Sequence, residues 1–311
     1  MFCEIECYPR ARGRVNIHIG DTPADMNVDF DSEIAYNTMI NIIGEVMNTA
    51  ILQGWLDPVC QVAAEAGRAI LAIAGEIGQV VDKADGSPLT RADLASNTII
   101  TEVLARLEPA VPILSEEGDL DAFGAGKHTT FWCVDPLDGT KEFVGGRDEY
   151  TVNIAIVEDA RPIFGVIYVP PKRALYWAVA GGGAWRRVGE GQAERITATK
   201  HTSPRIAVAS RSHLDDRTRA YLQRLGVDET IQCGSSVKMT AVAEGRADIY
   251  PRFGPTCLWD TAAGAAIAVE AGCRVLALDG EPLSYDPAKG LKREGFLVVP
   301  QGMNVPSTAG A

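Results

Sequence analysis

WCVDPLDGT, residues 132–140, is the most informative stretch of this chain. It places two carboxylates, Asp135 and Asp138, around Pro136 and directly after an apolar run. Pro136 removes an amide donor and fixes a turn, and Gly139 lets the backbone approach a ligand closely. The apolar run predicts a buried strand, and the residues from Asp138 onward predict the start of a helix, whose amides attract anions. The stretch therefore predicts a site where carboxylates hold cations and a phosphate binds.

The composition is that of a globular protein with a sizeable core. Of 311 residues, 46% are hydrophobic, which suits one large or two modest domains. A net charge of −12 and the lack of a basic stripe argue against nucleic acid as a partner. No apolar run approaches the roughly 20 residues of a transmembrane segment, and no signal peptide is visible. The seven cysteines form no CxxC pair and are typical of reduced core thiols. We expect a cytoplasmic location. This expectation includes peripheral attachment of the protein to the cytoplasmic face of the inner membrane.

The first 55 residues differ from the rest. Their apolar positions are scattered, and no chemistry-bearing motif lies among them. Only residues 34–52 show the spacing of a short amphipathic helix. We predict that residues 1–55 are a poorly ordered extension. Such an extension is compatible with a start codon assigned too far upstream, in which case Met39 or Met47 is the natural first residue.

From residue 56 onward the pattern becomes regular and predicts two domains. Residues 56–195 predict an α+β domain whose antiparallel meander ends at Gly181–Gly183. Residues 196–300 alternate strands and helices and predict an α/β domain, followed by a tail at residues 301–311. Predicted helices cover 59–78, 91–108, 215–225, 237–244 and 261–271. Predicted strands cover 111–114, 131–134, 150–157, 163–169, 175–179, 206–209, 230–233, 247–250, 274–278 and 295–299.

Two further acidic clusters accompany the central stretch. Glu116 and Glu117 directly follow a predicted strand, and Asp260 lies at a predicted helix start. Magnesium prefers oxygen ligands, whereas zinc or copper would call for histidine or cysteine, which these clusters lack. For Asp260 alone, or for Glu116 and Glu117 alone, a helix cap or a solvated turn is the favoured explanation. Taken together, the three clusters favour a magnesium site.

These motifs carry a resemblance to a known family. The chain resembles the inositol monophosphatase superfamily of lithium-sensitive, magnesium-dependent phosphatases over about residues 56–299, through SEE at 115–117, VDPLDGTKEF at 134–143 and WDTAAG at 259–264. Within it, the resemblance is strongest to CysQ-type 3′(2′),5′-bisphosphate nucleotidases, through SRSH at 210–213, GSSVK at 234–238 and YPRFGP at 250–255. The resemblance implies an α/β fold, a layered αβαβα sandwich with an α+β half followed by an α/β half.

The resemblance also implies the site residues. The implied ligands of two or three Mg²⁺ ions are Glu116, Asp135, the Leu137 carbonyl, Asp138 and Asp260. The implied catalytic residues are Thr140, Asp93 and Glu117, of which Thr140 and Asp93 orient or deprotonate the attacking water. The implied substrate contacts are Glu116, Leu137, Asp138, Gly139, Thr140, His213, Ser235, Lys238, Arg252 and Asp260.

Several of these residues could instead have ordinary structural roles. Thr140 could be a helix N-cap, and Lys238 and Arg252 could be ordinary surface residues. The pair also suits a phosphate that is not cleaved, because a second phosphate needs cationic donors.

The implied reaction is hydrolysis of the 3′-phosphate of adenosine 3′,5′-bisphosphate to AMP and phosphate, with the phosphosulfate analogue PAPS as a further substrate, in sulfur assimilation. The expected partner is thus a small phosphorylated nucleotide. Inositol monophosphatase or fructose-1,6-bisphosphatase activity on the same scaffold is one alternative. A noncatalytic metal- or nucleotide-binding regulator is the other, and the sequence does not predict the oligomeric state.

Overall fold

A computed structural model of the chain describes residues 5–7, 14–17, 26–29, 33–74, 81–82, 88–124, 126–211, 214–306 and 308. The chain forms two compact units, Met1–Gly54 and Trp55–Ala311. In the first unit, β1 (Ile5–Cys7), β2 (Arg14–Ile17) and β3 (Met26–Asp29) form an antiparallel sheet. Much of the predicted extension at residues 1–55 lies outside the described residues, so its poor order stays a prediction.

The helices follow the predicted pattern with two corrections. Their bounds are α1 (Glu33–Ala74), α2 (Arg91–Leu104), α3 (Leu120–Phe123), α4 (Thr140–Val144), α5 (Asp216–Leu225), α6 (Val237–Ala243) and α7 (Leu258–Glu270). The two helices predicted over 34–52 and 59–78 are a single helix, α1, because a change in composition does not interrupt helical hydrogen bonding. Helix α2 ends earlier than predicted, since the amides of Arg106 and Leu107 each bond three residues back and tighten the last turn.

A seven-stranded sheet is the largest element of the second unit. A short hairpin of β4 (Val81–Asp82) and β5 (Pro88–Leu89) precedes it. The strands of the large sheet are β6 (Ile113–Ser115), β7 (Thr130–Asp138), β8 (Thr151–Glu158), β9 (Arg161–Val169), β10 (Ala174–Val179), β11 (Ala184–Val188) and β12 (Glu194–Ile196). Their order is β12-β11-β10-β9-β8-β7-β6, with β6 and β7 parallel and all other neighbours antiparallel.

The predicted meander over β8, β9 and β10 is confirmed, but its predicted end is wrong. Gly181–Gly183 turns the chain into β11 instead of ending the sheet. The amides of Gly181 and Gly183 donate to the carboxylate of Glu270, at the end of α7. Both glycines have positive φ, of 74° and 75°, which a tight turn tolerates. The glycine run at 181–183 therefore forms the turn of the β10–β11 hairpin and does not end the sheet.

The second half contains the predicted alternation of strands and helices. Its strands are β13 (Ile206–Ser210), β14 (Glu229–Cys233), β15 (Tyr250–Arg252), β16 (Thr256–Cys257), β17 (Cys273–Ala277), β18 (Lys292–Arg293) and β19 (Phe296–Pro300). β13 and β14 are parallel, while β15, β19 and β17 form an antiparallel sheet in that order. A parallel bridge from Ala207 to Ile249 links these two sheets.

The packing order confirms the layered αβαβα sandwich. Helix α2 packs against β7 of the large sheet, and α7 packs against β8 and β9. On their other side α6 and α7 contact β13, β17 and β19, and α5 contacts β15. Because Trp55–Ala311 is one compact unit, the domain boundaries at 195 and 300 stay predictions. Among the helices that the structure describes, none is both long and apolar enough to cross a bilayer.

Two local features bring the chemistry-bearing segments together. A side chain on Gly165 in β9 would lie 2.5 Å from the carbonyl oxygen of Ala263, so this glycine lets α7 approach the sheet closely. In β7 the register shifts between Asp135 and Asp138, where Pro136 offers no amide to the ladder. The strand thus continues past its predicted end at residue 134 and carries both carboxylates.

Candidate active site

Three carboxylates from separate elements meet at one edge of the large sheet. One ligand oxygen from each of Glu116, Asp135 and Asp260 lies within 4.8 Å of the others. Glu116 directly follows β6, and its amide donates to the carbonyl of Val134 at 3.1 Å, which places it beside Asp135 on the neighbouring strand. Asp260 comes from the first turn of α7. The parallel β6–β7 pair and the close seating of α7 thus build the cluster.

The cluster opens into a cavity of about 270 Å³. The cavity is lined by most of the predicted site residues, namely Glu116, Asp135, Leu137, Asp138, Gly139, Thr140, Ser235, Lys238, Arg252 and Asp260. Asp93 does not line the cavity itself but accepts a hydrogen bond from Thr140, which does. Glu117 does not line the cavity, so its catalytic role gains no support from the geometry. His213 lies outside the described residues.

Local hydrogen bonds fix Asp135 and Asp260 each through one oxygen. Asp260 is the third residue of its helix, and its Oδ2 accepts from the amide of Cys257 at 2.9 Å and the hydroxyl of Thr256 at 2.7 Å. Asp135 Oδ1 accepts from the amide of Leu137 at 3.1 Å. Among the described residues, no donor bonds to Asp260 Oδ1 or Asp135 Oδ2. Both aspartates are thereby oriented by the fold, and each keeps a second oxygen for a ligand.

Asp138 lines the same cavity but is held by two residues that the sequence analysis missed. Its Oδ2 accepts from the amide and hydroxyl of Ser236, at 2.6 and 2.8 Å, and from Asn153 Nδ2 at 3.3 Å. Ser236 Oγ also lies 2.8 Å from the carbonyl oxygen of Asp260. A signal for Asn153 existed, since it is a polar residue in the otherwise apolar strand β8, and buried polar groups need partners.

Thr140 is not a helix N-cap, because Gly139 occupies that position with a φ of 93°. The Thr140 hydroxyl instead lies 3.1 Å from Asp93 Oδ1 and 3.1 Å from the carbonyl oxygen of Leu137. Asp93 is buried, and its Oδ2 accepts from the amide and hydroxyl of Thr90 at 2.7 and 2.6 Å in a capping box. The start of α2 therefore aims one carboxylate oxygen at Thr140.

The electrostatics of the cluster favour a bound cation. Burial raises the pKa of Asp135 well above its usual range, and Glu116, Asp138 and Asp260 raise it further. Burial and Asp260 also raise the pKa of Asp138, although Lys238 and the hydrogen bonds from Ser236 and Asn153 oppose the increase. A multivalent cation would relieve both the desolvation and the mutual repulsion. Because all the candidate ligand atoms of the cluster are carboxylate oxygens, the cluster fits a hard ion such as Mg²⁺.

The two predicted cationic contacts are not ordinary surface residues. Lys238 is 4% exposed, and its Nζ donates to the carbonyl of Ser235 at 2.5 Å and lies 5.6 Å from the ring centre of Tyr250. Arg252 is half-buried and donates to the carbonyls of Gly254 and Pro255 at 3.3 and 2.7 Å. Both line the cavity that contains the carboxylates, so the site combines negative and positive groups.

The family model for the inositol monophosphatase family matches residues 52–299. The 3′(2′),5′-bisphosphate nucleotidase CysQ of Escherichia coli K12 is 46% identical over 246 residues, which cover 78% of this chain and 98% of that protein. The crystal structure of CysQ from Bacteroides thetaiotaomicron, a bacterial member of the same family, aligns with a TM-score of 0.69 and 41% identity, covering 82% of this chain and 97% of that one. The Thermotoga maritima IMPase shares the fold with a TM-score of 0.67 at 24% identity, over 79% and 92% of the chains. This chain therefore belongs to the inositol monophosphatase family.

Proposed function

We propose that this protein is a magnesium-dependent phosphomonoesterase that hydrolyses the 3′-phosphate of adenosine 3′,5′-bisphosphate to AMP and phosphate. PAPS is a further substrate in this proposal, which places the enzyme in sulfur assimilation. The relatives at 45–46% identity that are named 3′(2′),5′-bisphosphate nucleotidase support the reaction. The proposal also includes a cytoplasmic location with peripheral attachment to the inner membrane, which fractionation of cells would test.

One observation carries the proposal. A single cavity contains both the carboxylate cluster of Glu116, Asp135 and Asp260 and the cationic side chains of Lys238 and Arg252. A substrate with two phosphates needs both, because cations held by the carboxylates suit the phosphate that is cleaved and basic side chains suit the other. A substrate with a single phosphate would not need the basic side chains of Lys238 and Arg252.

The carboxylates, the Leu137 carbonyl and Asp138 would hold two or three Mg²⁺ ions. Bound magnesium would offset the charge on the phosphoryl oxygens and help to activate the attacking water. The chain itself supplies orientation, since Asp260 and Asp138 are each fixed through one oxygen by neighbouring donors. This preorganisation lets the ligand oxygens face the cavity without a conformational search.

Thr140 and Asp93 position the water. The Thr140 hydroxyl can donate to Asp93 Oδ1, 3.1 Å away, and accept a hydrogen bond from a water in the cavity. Water oxygen forms the new bond to phosphorus as the bond from phosphorus to the ribose 3′-oxygen breaks, and the leaving oxygen takes up a proton. The buried carboxylate of Asp93 can receive a proton from the water through Thr140.

A substrate panel with and without magnesium tests the proposal. The substrates are adenosine 3′,5′-bisphosphate, PAPS, inositol 1-phosphate and fructose 1,6-bisphosphate, and phosphate release is measured. We expect the adenosine bisphosphate to give the highest kcat/KM and chelation to abolish turnover. A much higher kcat/KM for either sugar phosphate would refute the nucleotide assignment, and tight nucleotide binding without turnover would indicate a regulator.

A pair of matched variants separates the site from general effects. Asp135→Asn removes a buried carboxylate of the cluster and should abolish magnesium-dependent turnover. Asp228→Asn makes the same chemical change at a carboxylate that is 68% exposed and pairs only with Arg205 among the described residues. This control should retain full activity. If Asp135→Asn retained it too, the proposed metal site would be wrong.

A further inference from the structure

The turn between β14 and α6 presents a candidate substrate contact in a strained conformation. Ser235 has a φ of 46°, in the left-handed region that non-glycine residues rarely adopt. Such a conformation persists only when surrounding contacts fix it. The amide of Ser236 donates to Asp138 on one side, and the amide of Gly234 donates to Glu149 Oε2 at 2.9 Å on the other. Glu149 is therefore one of the two anchors of the turn.

Glu149 is bound to the same region through Arg211 as well. Arg211 donates to both oxygens of Glu149, from Nε at 3.0 Å and from Nη2 at 2.8 Å. The same Nη2 donates to the carbonyl of Gln232 at 2.7 Å, and the Arg211 amide donates to the carbonyl of Cys233 at 3.2 Å. This bidentate pair joins the segment before β8 to the end of β14. The hydrogen bond from Arg211 lowers the pKa of Glu149, so the carboxylate is ionised at neutral pH.

The backbone of Glu149 is wedged between two turns that line the cavity. Its carbonyl oxygen lies 2.9 Å from the position that a Cβ atom would take on Gly139, and also 2.9 Å from that position on Gly234. Neither glycine could carry a side chain without displacing Glu149. The residue after Gly139 is Thr140, and the residue after Gly234 is Ser235. One residue thus touches both the turn with the water-positioning hydroxyl and the turn with the substrate contact.

We propose that Glu149, paired with Arg211, is a positioning residue that fixes the Gly234–Ser236 turn for recognition of the second phosphate or the nucleoside. This inference rests on the proposed function. Neither Glu149 nor Arg211 lines the cavity, so both act through the turn. Loss of the pair should weaken nucleotide binding through Gly234 and Ser235, the part of the turn that Glu149 holds. Ser236 keeps its own hydrogen bonds to Asp138 and to the Asp260 carbonyl, so the carboxylate cluster is preserved. The effect therefore falls on KM for the nucleotide and not on the chemical step.

Kinetics with two substrates test this inference. Glu149→Gln keeps the size of the side chain but removes the charge and one acceptor, and Arg211→Met keeps its length without its donors. For adenosine 3′,5′-bisphosphate we expect KM to rise about tenfold with kcat within about threefold, since a charged hydrogen bond is lost. For p-nitrophenyl phosphate, which lacks the nucleoside and the second phosphate, we expect unchanged kcat/KM. Arg211→Lys keeps the charge without the bidentate geometry and should restore part of the affinity.

The Arg173–Glu190 pair provides the control. It has the same 2.8 Å separation but lies between exposed side chains that do not line the cavity, so Glu190→Gln should change no kinetic constant. Equal losses on both substrates, or unchanged KM in both Glu149→Gln and Arg211→Met, would overturn the inference. If the wild-type enzyme preferred a sugar phosphate, the proposed function would fail first, and the nucleotide role of Glu149 with it.

Discussion

Thr140 and Asp93 are 47 residues apart in the chain, yet the Thr140 hydroxyl lies 3.1 Å from Asp93 Oδ1. The other oxygen of Asp93 caps helix α2 by accepting from the amide of Thr90 at 2.7 Å. One carboxylate thus stabilises a helix start and orients a hydroxyl in the cavity. This dual use makes the geometry rigid, because Asp93 cannot rotate without losing the cap.

Thr140→Ala should lower kcat by about a hundredfold to ten-thousandfold, the usual range for a lost acid–base contact. Magnesium binding should persist, because the carboxylates of the cluster do not depend on the Thr140 side chain. Thr140→Ser keeps the hydroxyl and should retain most of the activity. Steady-state kinetics and calorimetric magnesium titrations check these outcomes, and a kcat for Thr140→Ala within tenfold of wild type would contradict the assigned role.

Asp135→Asn should make the metal-free protein more stable while it destroys the proposed metal site. The buried Asp135 carboxylate has a raised pKa, so its ionisation opposes folding. This penalty is absent at low pH, grows as pH rises from the unfolded-state pKa of about 3.9, and is complete above the raised pKa. In chelator, the variant should therefore melt at least about 3 °C above wild type at about pH 8, and by less at about pH 5.

Magnesium should reverse the order of these melting temperatures. Wild type should gain stability from bound magnesium, most strongly at high pH where protons no longer compete for the carboxylates. Asp135→Asn should gain little. Thermal melts with chelator and with magnesium measure both effects. A variant that melts below wild type in chelator at about pH 8 would show that the carboxylate is not a source of repulsion.

Arg252→Gln should raise KM for adenosine 3′,5′-bisphosphate about tenfold or more and leave kcat/KM for p-nitrophenyl phosphate nearly unchanged, because we propose that the guanidinium binds the uncleaved phosphate. Arg293→Gln is the matched control. Arg293 also donates to backbone carbonyls, including Gly290 at 2.7 Å, but does not line the cavity. Equal KM changes in both variants would mean that Arg252 acts only through the stability of its loop.

The fold could be predicted largely because its determinants are local. The spacing of apolar residues sets helices α2, α5 and α7, and β-branched runs set the strands of the meander. The failed prediction at Gly181–Gly183 has a tertiary cause, since the carboxylate of Glu270, far along the chain, binds the turn and lets the sheet continue. Glycine spacing alone does not distinguish a hairpin from a boundary.

The site was only half predictable for a similar reason. Motifs predict the carboxylates that the structure brings together, Glu116, Asp135 and Asp260, because the residue types themselves define the chemistry. Asn153 and Ser236, which orient Asp138, and Glu149, which anchors the Gly234 turn, belong to other strands and turns. Which buried polar residues become partners depends on the register of β7 against β8 and on where α6 begins. Pattern analysis provides neither with the required accuracy.

Asp248 shows how a single buried carboxylate can join two segments away from the cavity. Its Oδ2 accepts from the amides of Arg205 and Ile206, each at 2.9 Å. Its Oδ1 accepts from the Thr199 hydroxyl at 2.7 Å and lies 2.8 Å from His201 Nδ1. Burial raises the pKa of Asp248, but these hydrogen bonds together outweigh burial and lower it. The ionised carboxylate therefore stabilises the fold.

Asp248→Asn should destabilise the protein by about 2 kcal/mol at neutral pH, because the amide group leaves buried donors without an acceptor. A lowered pKa means that the stabilisation is present above the unfolded-state pKa of about 3.9 and is lost as pH falls through the folded pKa. The difference from wild type should thus shrink in acid, as urea denaturation at several pH values would measure. Asp228→Asn, at a 68% exposed carboxylate, should change stability by less than about 0.5 kcal/mol. If the loss of unfolding free energy in Asp248→Asn did not depend on pH, the charge of the Asp248 carboxylate would contribute nothing to stability. Only the shape of the side chain would then matter.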